Sequence, residues 1–385
     1  MSPPRGFPPA EFEGRVAQAQ QRMASANLDA LLLTTEPEVR YYTGFLTRFW
    51  ESPTRPWFVV LPAKGSPIAV IPSIGSHLMR QSWITDIRPW QAPDYADDGV
   101  SLLADTLQEV VPRDGRIGVA DAMESHLRMP LAHFRELESQ VLPRRIVSDA
   151  QITRTLRQIK SEAEIDKIRY AAAIAGRAFD RVPSIAKTGT PLSSVFRDFQ
   201  RLCLEEGADW VPYLAGGAGQ GGYGDVISPA SDAPLAKGDV LMLDTGMVWD
   251  GYFCDFDRNF SLGPPSAEVA DAHHRLVEAT TVAFELARPG ARMSDLFHTM
   301  KAIVSPGQEA TEAGRLGHGL GMQLTEWPSI IPQDHTELAP GMVLTLEPGI
   351  TLGDGRIMVH EEDILIGERG ATFLSPRQSP EMRVI

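Results

Sequence analysis

The sequence predicts an α/β N-terminal domain at residues 1–150 and an α+β C-terminal domain at residues 151–385. Three observations predict this division. Strand-like apolar runs alternate with helical stretches as far as Asp149, which is typical of an α/β domain. A long helix with its own N-terminal cap then begins near Ser161. Beyond that helix, a hairpin sequence and several short strand-like pieces indicate a sheet-rich unit, and 385 residues are long for a single core.

Composition and charge narrow the class of protein. The apolar fraction of 43% suits a globular protein, and no apolar run approaches the ~20 residues needed to cross a membrane. No signal peptide is evident, and the two cysteines form no disulfide framework, so we expect a cytoplasmic protein. The net charge of −14, without any basic run, argues against nucleic acid or an anionic membrane as partner.

In the N-terminal domain, apolar periodicity predicts a helix at residues 11–26 and a buried strand at 28–34. Further strands are predicted at 57–61, 67–71 and 116–120, and further helices near 75–81, 101–111 and 124–138.

The loop at residues 40–57 is dense in aromatic residues and arginines, among them Arg48, Trp50 and Arg55. Apolar and cationic groups on one loop indicate a binding surface. The alternative is that these aromatic side chains anchor the loop onto its own core. Tyr41 and Tyr42 are expected in the core.

In the C-terminal domain, Ser161 and Glu164 fit a capping box. Thr190, Ser266 and Ser294 are the other predicted N-caps. The glycine-rich stretch at 215–239 has neither a dinucleotide fingerprint nor a Gly-Lys-Ser/Thr ending, so we expect its glycines to let the backbone approach a ligand.

The stretch at 239–262 reads as two strands joined by Asp250-Gly251, a strong hairpin signal. With these two residues as the loop, Asp244 faces Asp257, and alternation puts Asp255 on the same face. Facing like charges need a cation, a proton or an arginine. Two interpretations therefore stay open, a buried cation site and a solvated polar face on which Asp257 pairs with an arginine.

Three more residues in the C-terminal domain have unusual settings. His318 lies among glycines that leave its imidazole approachable, although a single histidine is more often structural. Glu347 and Glu361 each follow a short apolar strand, where a carboxylate is costly to bury unless it is paired or bound to metal.

The motifs LDALLLT, YYTGF, LRQIKSEAEIDKIR, DTG…DGYFCD, GHGLG, LTLEPG and HEED occur in this order along the chain. In this order they resemble the pita-bread metallopeptidases, which include aminopeptidase P, prolidase, methionine aminopeptidase and creatinase. The N-terminal third is similar to the creatinase/prolidase N-terminal domain. The resemblance therefore implies a pita-bread catalytic domain at residues 151–385.

The resemblance implies two divalent ions, of Mn, Co, Fe or Zn, bound by Asp244, Asp255, His318, Glu347 and Glu361. Glu347 would also be the general base. The implied reaction is hydrolysis of an amide C–N bond in a small peptide or a peptide-like metabolite, as in Xaa-Pro aminopeptidases and dipeptidases. The resemblance also implies a homodimer in which the loop at 40–57 reaches the partner's active site.

The chain departs from the family pattern around the expected substrate site. Residues 215–237 contain no histidine, Thr325 replaces a second histidine, and Val359 replaces an arginine. His360 is expected to point away from the acidic face. The predicted substrate-binding residues are Arg48, Trp50, Arg55, Tyr213, Tyr223, Thr325 and Trp327.

These departures predict weak Xaa-Pro cleavage and a compact substrate with a positive group, held in a pocket that includes Asp257. Two alternatives remain. One is a metal-dependent family member of other chemistry, similar to ectoine hydrolase or dimethylsulfoniopropionate lyase, with Asp257 as a candidate base. The other is a non-catalytic binding relative, which the presence of all five ligands disfavours.

Overall fold

A computed structural model describes residues 2–52, 55–307 and 314–385. Two compact units divide between Arg157 and Gln158, a few residues after the boundary predicted at 150/151. The intervening helix belongs mostly to the N-terminal unit because Thr153 Oγ1 lies 3.1 Å from the Tyr42 hydroxyl of that unit. No helix among the described residues is long and apolar enough to cross a membrane.

The N-terminal unit is built on one six-stranded mixed sheet. Its strands are β1 (Ala30–Leu33), β2 (Phe58–Pro62), β3 (Ile68–Pro72), β4 (Asp86–Trp90), β5 (Arg116–Val119) and β6 (Arg145–Ser148), in the order β4-β3-β2-β1-β5-β6. Its helices are α1 (Pro9–Ala26), α2 (Glu36–Thr43), α3 (Ser76–Met79), α4 (Val100–Val110), α5 (Leu131–Gln140) and α6 (Ile152–Gln158). Every residue of β1, β2 and β3 is buried, as their continuous apolar runs predict. The predicted alternation of strands and helices is therefore confirmed.

The loop that follows α2 packs largely onto its own unit. Trp50 is 8% exposed, and its ring centroid lies 5.8 Å from that of the buried Trp57. The Arg128 guanidinium lies over the Trp50 ring. Arg48 forms an exposed ion pair with Glu51, and the Arg55 guanidinium lies over Phe49. These contacts favour the alternative in which the loop aromatics anchor to their own core.

The C-terminal unit contains two five-stranded sheets. The first is formed by β7 (Trp210–Gln220), β8 (Asp239–Trp249), β9 (Tyr252–Phe253), β10 (Phe256–Ser261) and β18 (Arg383–Val384). The second is formed by β11 (His318–Gly319), β12 (Glu326–Ser329), β13 (Val343–Leu346), β16 (Glu362–Ile366) and β17 (Ala371–Phe373), while β14 (Gly349–Thr351) pairs with β15 (Ile357–Val359). The helices are α7 (Glu162–Asp180), α8 (Leu192–Glu206), α9 (Ala267–Leu286) and α10 (Met293–Val304).

Alternation along β8 divides the packing of this unit. Leu241 and Leu243 pack into a core with α7 and α8, whereas Val240 and Met242 pack into a second core with α9, α10 and β13. Asp244 continues the even-numbered set, so the sheet period turns its carboxylate toward the second core. The first sheet is thus apolar on both faces until the acidic positions begin.

The glycine-rich stretch corrects one prediction. Its first six residues, 215–220, belong to strand β7, which pairs with β8 as far as Gln220 opposite Asp239. Gly216 has a φ of +148°, and a Cβ there would lie 2.2 Å from the Met242 carbonyl oxygen. Glycine at position 216 therefore allows the close approach of β8 rather than of a ligand.

Two of the predicted caps are also corrected. Pro191 rather than Thr190 occupies the N-cap position of α8, and Arg292 rather than Ser294 occupies that of α10. The capping box at Ser161 is confirmed, because its hydroxyl accepts from the Glu164 amide while the Glu164 carboxylate accepts from the Ser161 amide.

Candidate metal centre

The hairpin at 239–262 positions the carboxylates of Asp244 and Asp257 opposite each other. Asp250 and Gly251 both have positive φ, as a tight two-residue hairpin loop requires, and Asp244 pairs directly with Asp257. The predicted register is confirmed. Both carboxylates are less than 8% exposed, so this is not a solvated polar face.

Asp255 lies in the gap between β9 and β10, where the ladder is interrupted. Its amide donates to the Asp363 Oδ2 atom at 3.1 Å instead of to a strand. This break frees the Asp255 carboxylate to turn toward His318, whose Nε2 lies 3.4 Å from Asp255 Oδ2.

The contacts of His318 define its tautomer. Its Nδ1 lies 2.9 Å from the Gly319 carbonyl oxygen, which can only accept, so Nδ1 carries the proton. Nε2 therefore presents its lone pair toward Asp255. Burial, with the nearby Arg315 charge, lowers the pKa of His318 to about 4, which keeps the ring neutral and able to bind a metal.

Strand pairing brings the two glutamates together. Leu346 of β13 pairs with Glu362 of β16, so Glu347 and Glu361 stand one position beyond that pair on the two strands. Asp257 Oδ1 accepts from the Glu361 amide at 3.0 Å. Candidate ligand atoms of Asp255, His318 and Glu361 all lie within 4.8 Å of one another.

The electrostatics disfavour several ionised carboxylates in this cluster without a compensating cation or proton. Burial raises the pKa of Asp244, Asp255 and Glu361 well above the usual range, and the neighbouring carboxylates raise each further. Burial likewise raises the pKa of Glu347 to about 7. Asp244 Oδ1 and Glu361 Oε1 are buried oxygens without a hydrogen-bond partner among the described residues. Hard or borderline divalent ions use such oxygens as ligands, so the residues present fit a metal site.

One prediction about His360 is wrong. The ring does not point away from the acidic face, since Nδ1 lies 3.2 Å from Asp257 Oδ1 and Nε2 lies 3.4 Å from Glu362 Oε1. The alternation argument fails because residues 360 and 361 lie between β15 and β16, outside both strands. Glu362 in turn accepts from Arg258 at 3.0 Å, which continues a fully buried polar network.

The predicted substrate-binding residues separate into different settings. In the C-terminal unit, Tyr213 lies on β7 two positions from the residue that pairs with Asp244, and burial beside the acidic cluster raises the pKa of its phenol. Thr325 and Trp327 are half-buried, at the strand that pairs with the His318 strand.

Tyr223 is the exception. Its side chain is 2% exposed, and its hydroxyl contacts Asn259 and the Val359 amide. Asp257 is similarly enclosed at 1% exposed. The predicted pocket for a positive group is therefore not formed by these two residues.

The sequence reasoning missed three features near the cluster. Asp363, the last letter of the HEED motif, accepts from the Asp255 amide. Arg315 contributes its charge to Asp255, His318 and Glu347. Lys160 and Glu326 form a buried ion pair at 3.2 Å. Only Asp363 carried a signal, because it lies within a quoted motif, whereas the other two depend on tertiary contacts.

Comparison with known proteins gives consistent matches over both units. Residues 166–368 match metallopeptidase family M24, and residues 15–159 match the creatinase/prolidase N-terminal domain. The chain is 31% identical over 368 residues to a protein named probable dipeptidase PepE from Mycobacterium tuberculosis, covering 94% of this chain and 93% of that one.

Solved structures agree with this result. The crystal structure of dipeptidase PepE from Mycobacterium ulcerans matches with a TM-score of 0.84 and 28% identity, covering 99% of both chains. A prolidase from Thermococcus sibiricus has the same fold, with a TM-score of 0.86 at 24% identity over 97% of this chain and 99% of the other. With its buried acidic cluster and these matches, the chain belongs to metallopeptidase family M24 and is a metal-dependent hydrolase with a creatinase/prolidase N-terminal domain.

Proposed function

We propose that this protein is a dipeptidase that uses two divalent ions, of Mn, Co, Fe or Zn, bound by Asp244, Asp255, His318, Glu347 and Glu361. The observation that carries the proposal is the set of buried carboxylates whose oxygens lack partners around the free Nε2 of His318. Four carboxylates and one neutral imidazole carry about four negative charges, which two divalent cations neutralise. The names of the similar proteins support a dipeptide as substrate.

Individual residues of this chain have separate roles in the proposed hydrolysis. Divalent ions in such a site polarise the peptide carbonyl and acidify water. Glu347, half-buried beside a cavity, takes the proton from the attacking water and delivers it to the leaving amine. Asp363 holds the Asp255 backbone in place, and the Tyr213 phenol lies beside Asp244. Asp257 holds the Glu361 amide, which supports a positioning role for it rather than the predicted role of base.

The substrate is a short peptide, and the enzyme has no strong preference for proline in it. Residues 215–237 contain no histidine, and Val359 stands where the resemblance expects an arginine, so donors that Xaa-Pro peptidases of the family direct at their substrate are absent. Removing one such donor typically costs ~2.7–4 kcal/mol of transition-state stabilisation. A compact metabolite with a positive group is less well supported, because Tyr223 and Asp257 are enclosed.

The test is a steady-state assay of the metal-reconstituted protein on a panel of dipeptides, with and without proline. We expect kcat/KM of about 10⁴ M⁻¹s⁻¹ or more on the best non-proline dipeptide. Xaa-Pro dipeptides should be slower by orders of magnitude. The Asp255→Ala variant should lose activity and at least one ion, and full metal content in this variant would contradict the ligand assignment.

Two other sequence predictions stay predictions. One is a homodimer in which Arg48, Trp50 and Arg55 reach the partner's active site. Sedimentation of the active enzyme tests it, and a fully active monomer would contradict it. The other is a cytoplasmic location, for which two free, buried cysteines are a compatible observation.

A further inference from the structure

A cavity of about 250 Å³ lies beside Glu347. Its charged lining consists of Glu347, Lys301 and Arg315, and the remaining lining is apolar or uncharged, including Val359, Ile357 and Thr351. Two cationic residues thus face one carboxylate. The charged lining of the cavity therefore has one more positive than negative side chain.

Arg315 is the residue in this cavity that is ready to bind a ligand. Its side chain is exposed, and within the described part of the chain it makes neither a hydrogen bond nor an ion pair. Its charge nevertheless acts on Glu347, Asp255 and His318, so the guanidinium lies near the reacting centre. All three of these residues are proposed metal ligands. The five N–H donors of Arg315 are therefore left for another group.

The chemistry of a dipeptide matches this arrangement. Its free carboxylate is separated from the scissile C–N bond by a single Cα atom, so the carboxylate must lie close to the metal centre when the amide does. A guanidinium binds a carboxylate through paired, charge-assisted hydrogen bonds. A C-terminal amide presents no charge for this interaction.

We propose that Arg315 binds the free C-terminal carboxylate of the substrate in the cavity beside Glu347, and that it is the residue by which the enzyme prefers dipeptides to C-terminally blocked peptides. This inference rests on the proposed dipeptidase function. It makes Arg315 a specificity-determining residue, with Lys301 adding positive charge in the same cavity.

The test compares the best dipeptide of the panel with its C-terminal amide, for the metal-loaded wild type and for Arg315→Gln. In the wild type we expect kcat/KM for the acid to exceed that for the amide by about tenfold or more, since a hydrogen bond to a charged group contributes that much. Arg315→Gln should lower kcat/KM for the acid about tenfold more than kcat/KM for the amide, because the loss of charge beside Glu347 acts on both substrates whereas the carboxylate contact exists only with the acid. Arg315→Lys should restore part of the preference.

The matched control is Arg369→Gln, an exposed arginine on the turn between β16 and β17, which should behave as wild type. An unchanged preference for the acid in an active Arg315→Gln enzyme would overturn the inference and leave the proposed function intact. If no dipeptide is cleaved, the proposed function fails, and calorimetric titration with the dipeptides of the panel becomes the decisive readout. Binding by wild type but not by Arg315→Gln would support the carboxylate site, and equal or absent binding would overturn it.

Discussion

Asp257 is the residue for which the sequence and the structure give different roles, and its substitution separates them. Its carboxylate is 1% exposed and Oδ1 accepts from the Glu361 amide at 3.0 Å while lying 3.2 Å from His360 Nδ1. Asp257→Ala leaves both groups buried and unsatisfied, at about 1–3 kcal/mol each. We therefore expect the free energy of unfolding to fall by about 2–6 kcal/mol. Asp257→Asn keeps an acceptor oxygen and should cost about 1 kcal/mol.

Substitution of Asp257 should also affect metal binding, because its carboxylate holds the backbone amide of the proposed ligand Glu361. Losing the group that orients a ligand typically weakens metal binding by about 10–100-fold. Asp257→Ala should therefore need more metal for half-maximal activity, and Asp257→Asn should keep most of kcat at saturating metal. Urea unfolding of the metal-free variants and activity titrated with Mn²⁺ measure both effects. An Asp257→Asn enzyme with wild-type metal affinity and no turnover would refute the positioning role and restore that of a base.

Three further predictions concern stability. Lys160→Met should lower the free energy of unfolding by about 3–5 kcal/mol in urea titrations because it removes the ammonium paired with the buried Glu326 carboxylate, and adding Glu326→Gln should recover part of the loss. Gly216→Ala should destabilise by about 1–3 kcal/mol, since its Cβ would meet the Met242 carbonyl, whereas Gly224→Ala, with nothing within 4 Å, should not. In the metal-free protein, the pKa of Glu347 rises from 4.5 to about 7, so the folded state binds more protons in that window and stability should fall as pH rises through it. Saturating metal should abolish this slope, and a metal-free stability that rises with pH over the same range would contradict the charge assignment.

The sequence predicted the features that local chemistry determines. The Asp250-Gly251 turn set the hairpin register, and so the pairing of Asp244 with Asp257, because both turn residues adopt positive φ. The capping box at Ser161 is equally local. Glycine has a low strand propensity, so the sequence pattern did not predict β7. This strand forms because β8 pairs with it along its length.

The sequence did not predict features that depend on where chain segments meet. Arg315 lies near Glu347 and Asp255 through tertiary folding, and Lys160 meets Glu326 across 166 positions of the chain. The orientation of His360 depends on the end of β15, a boundary that the sequence pattern does not mark. Site residues carried by motifs were accessible to sequence reasoning, whereas their supporting contacts were not.

The most direct test of the dinuclear centre is a titration of metal-free protein with Mn²⁺ or Co²⁺, with dipeptide hydrolysis and bound metal followed in the same samples. The ligand set of four carboxylates and the neutral imidazole of His318 predicts saturation near two ions per chain, with full activity only when both are bound. Asp255→Ala should bind fewer ions and remain inactive at saturation. Full hydrolysis in a protein that retains no metal, or unchanged metal content in Asp255→Ala, would contradict the assignment of this buried cluster as the catalytic centre.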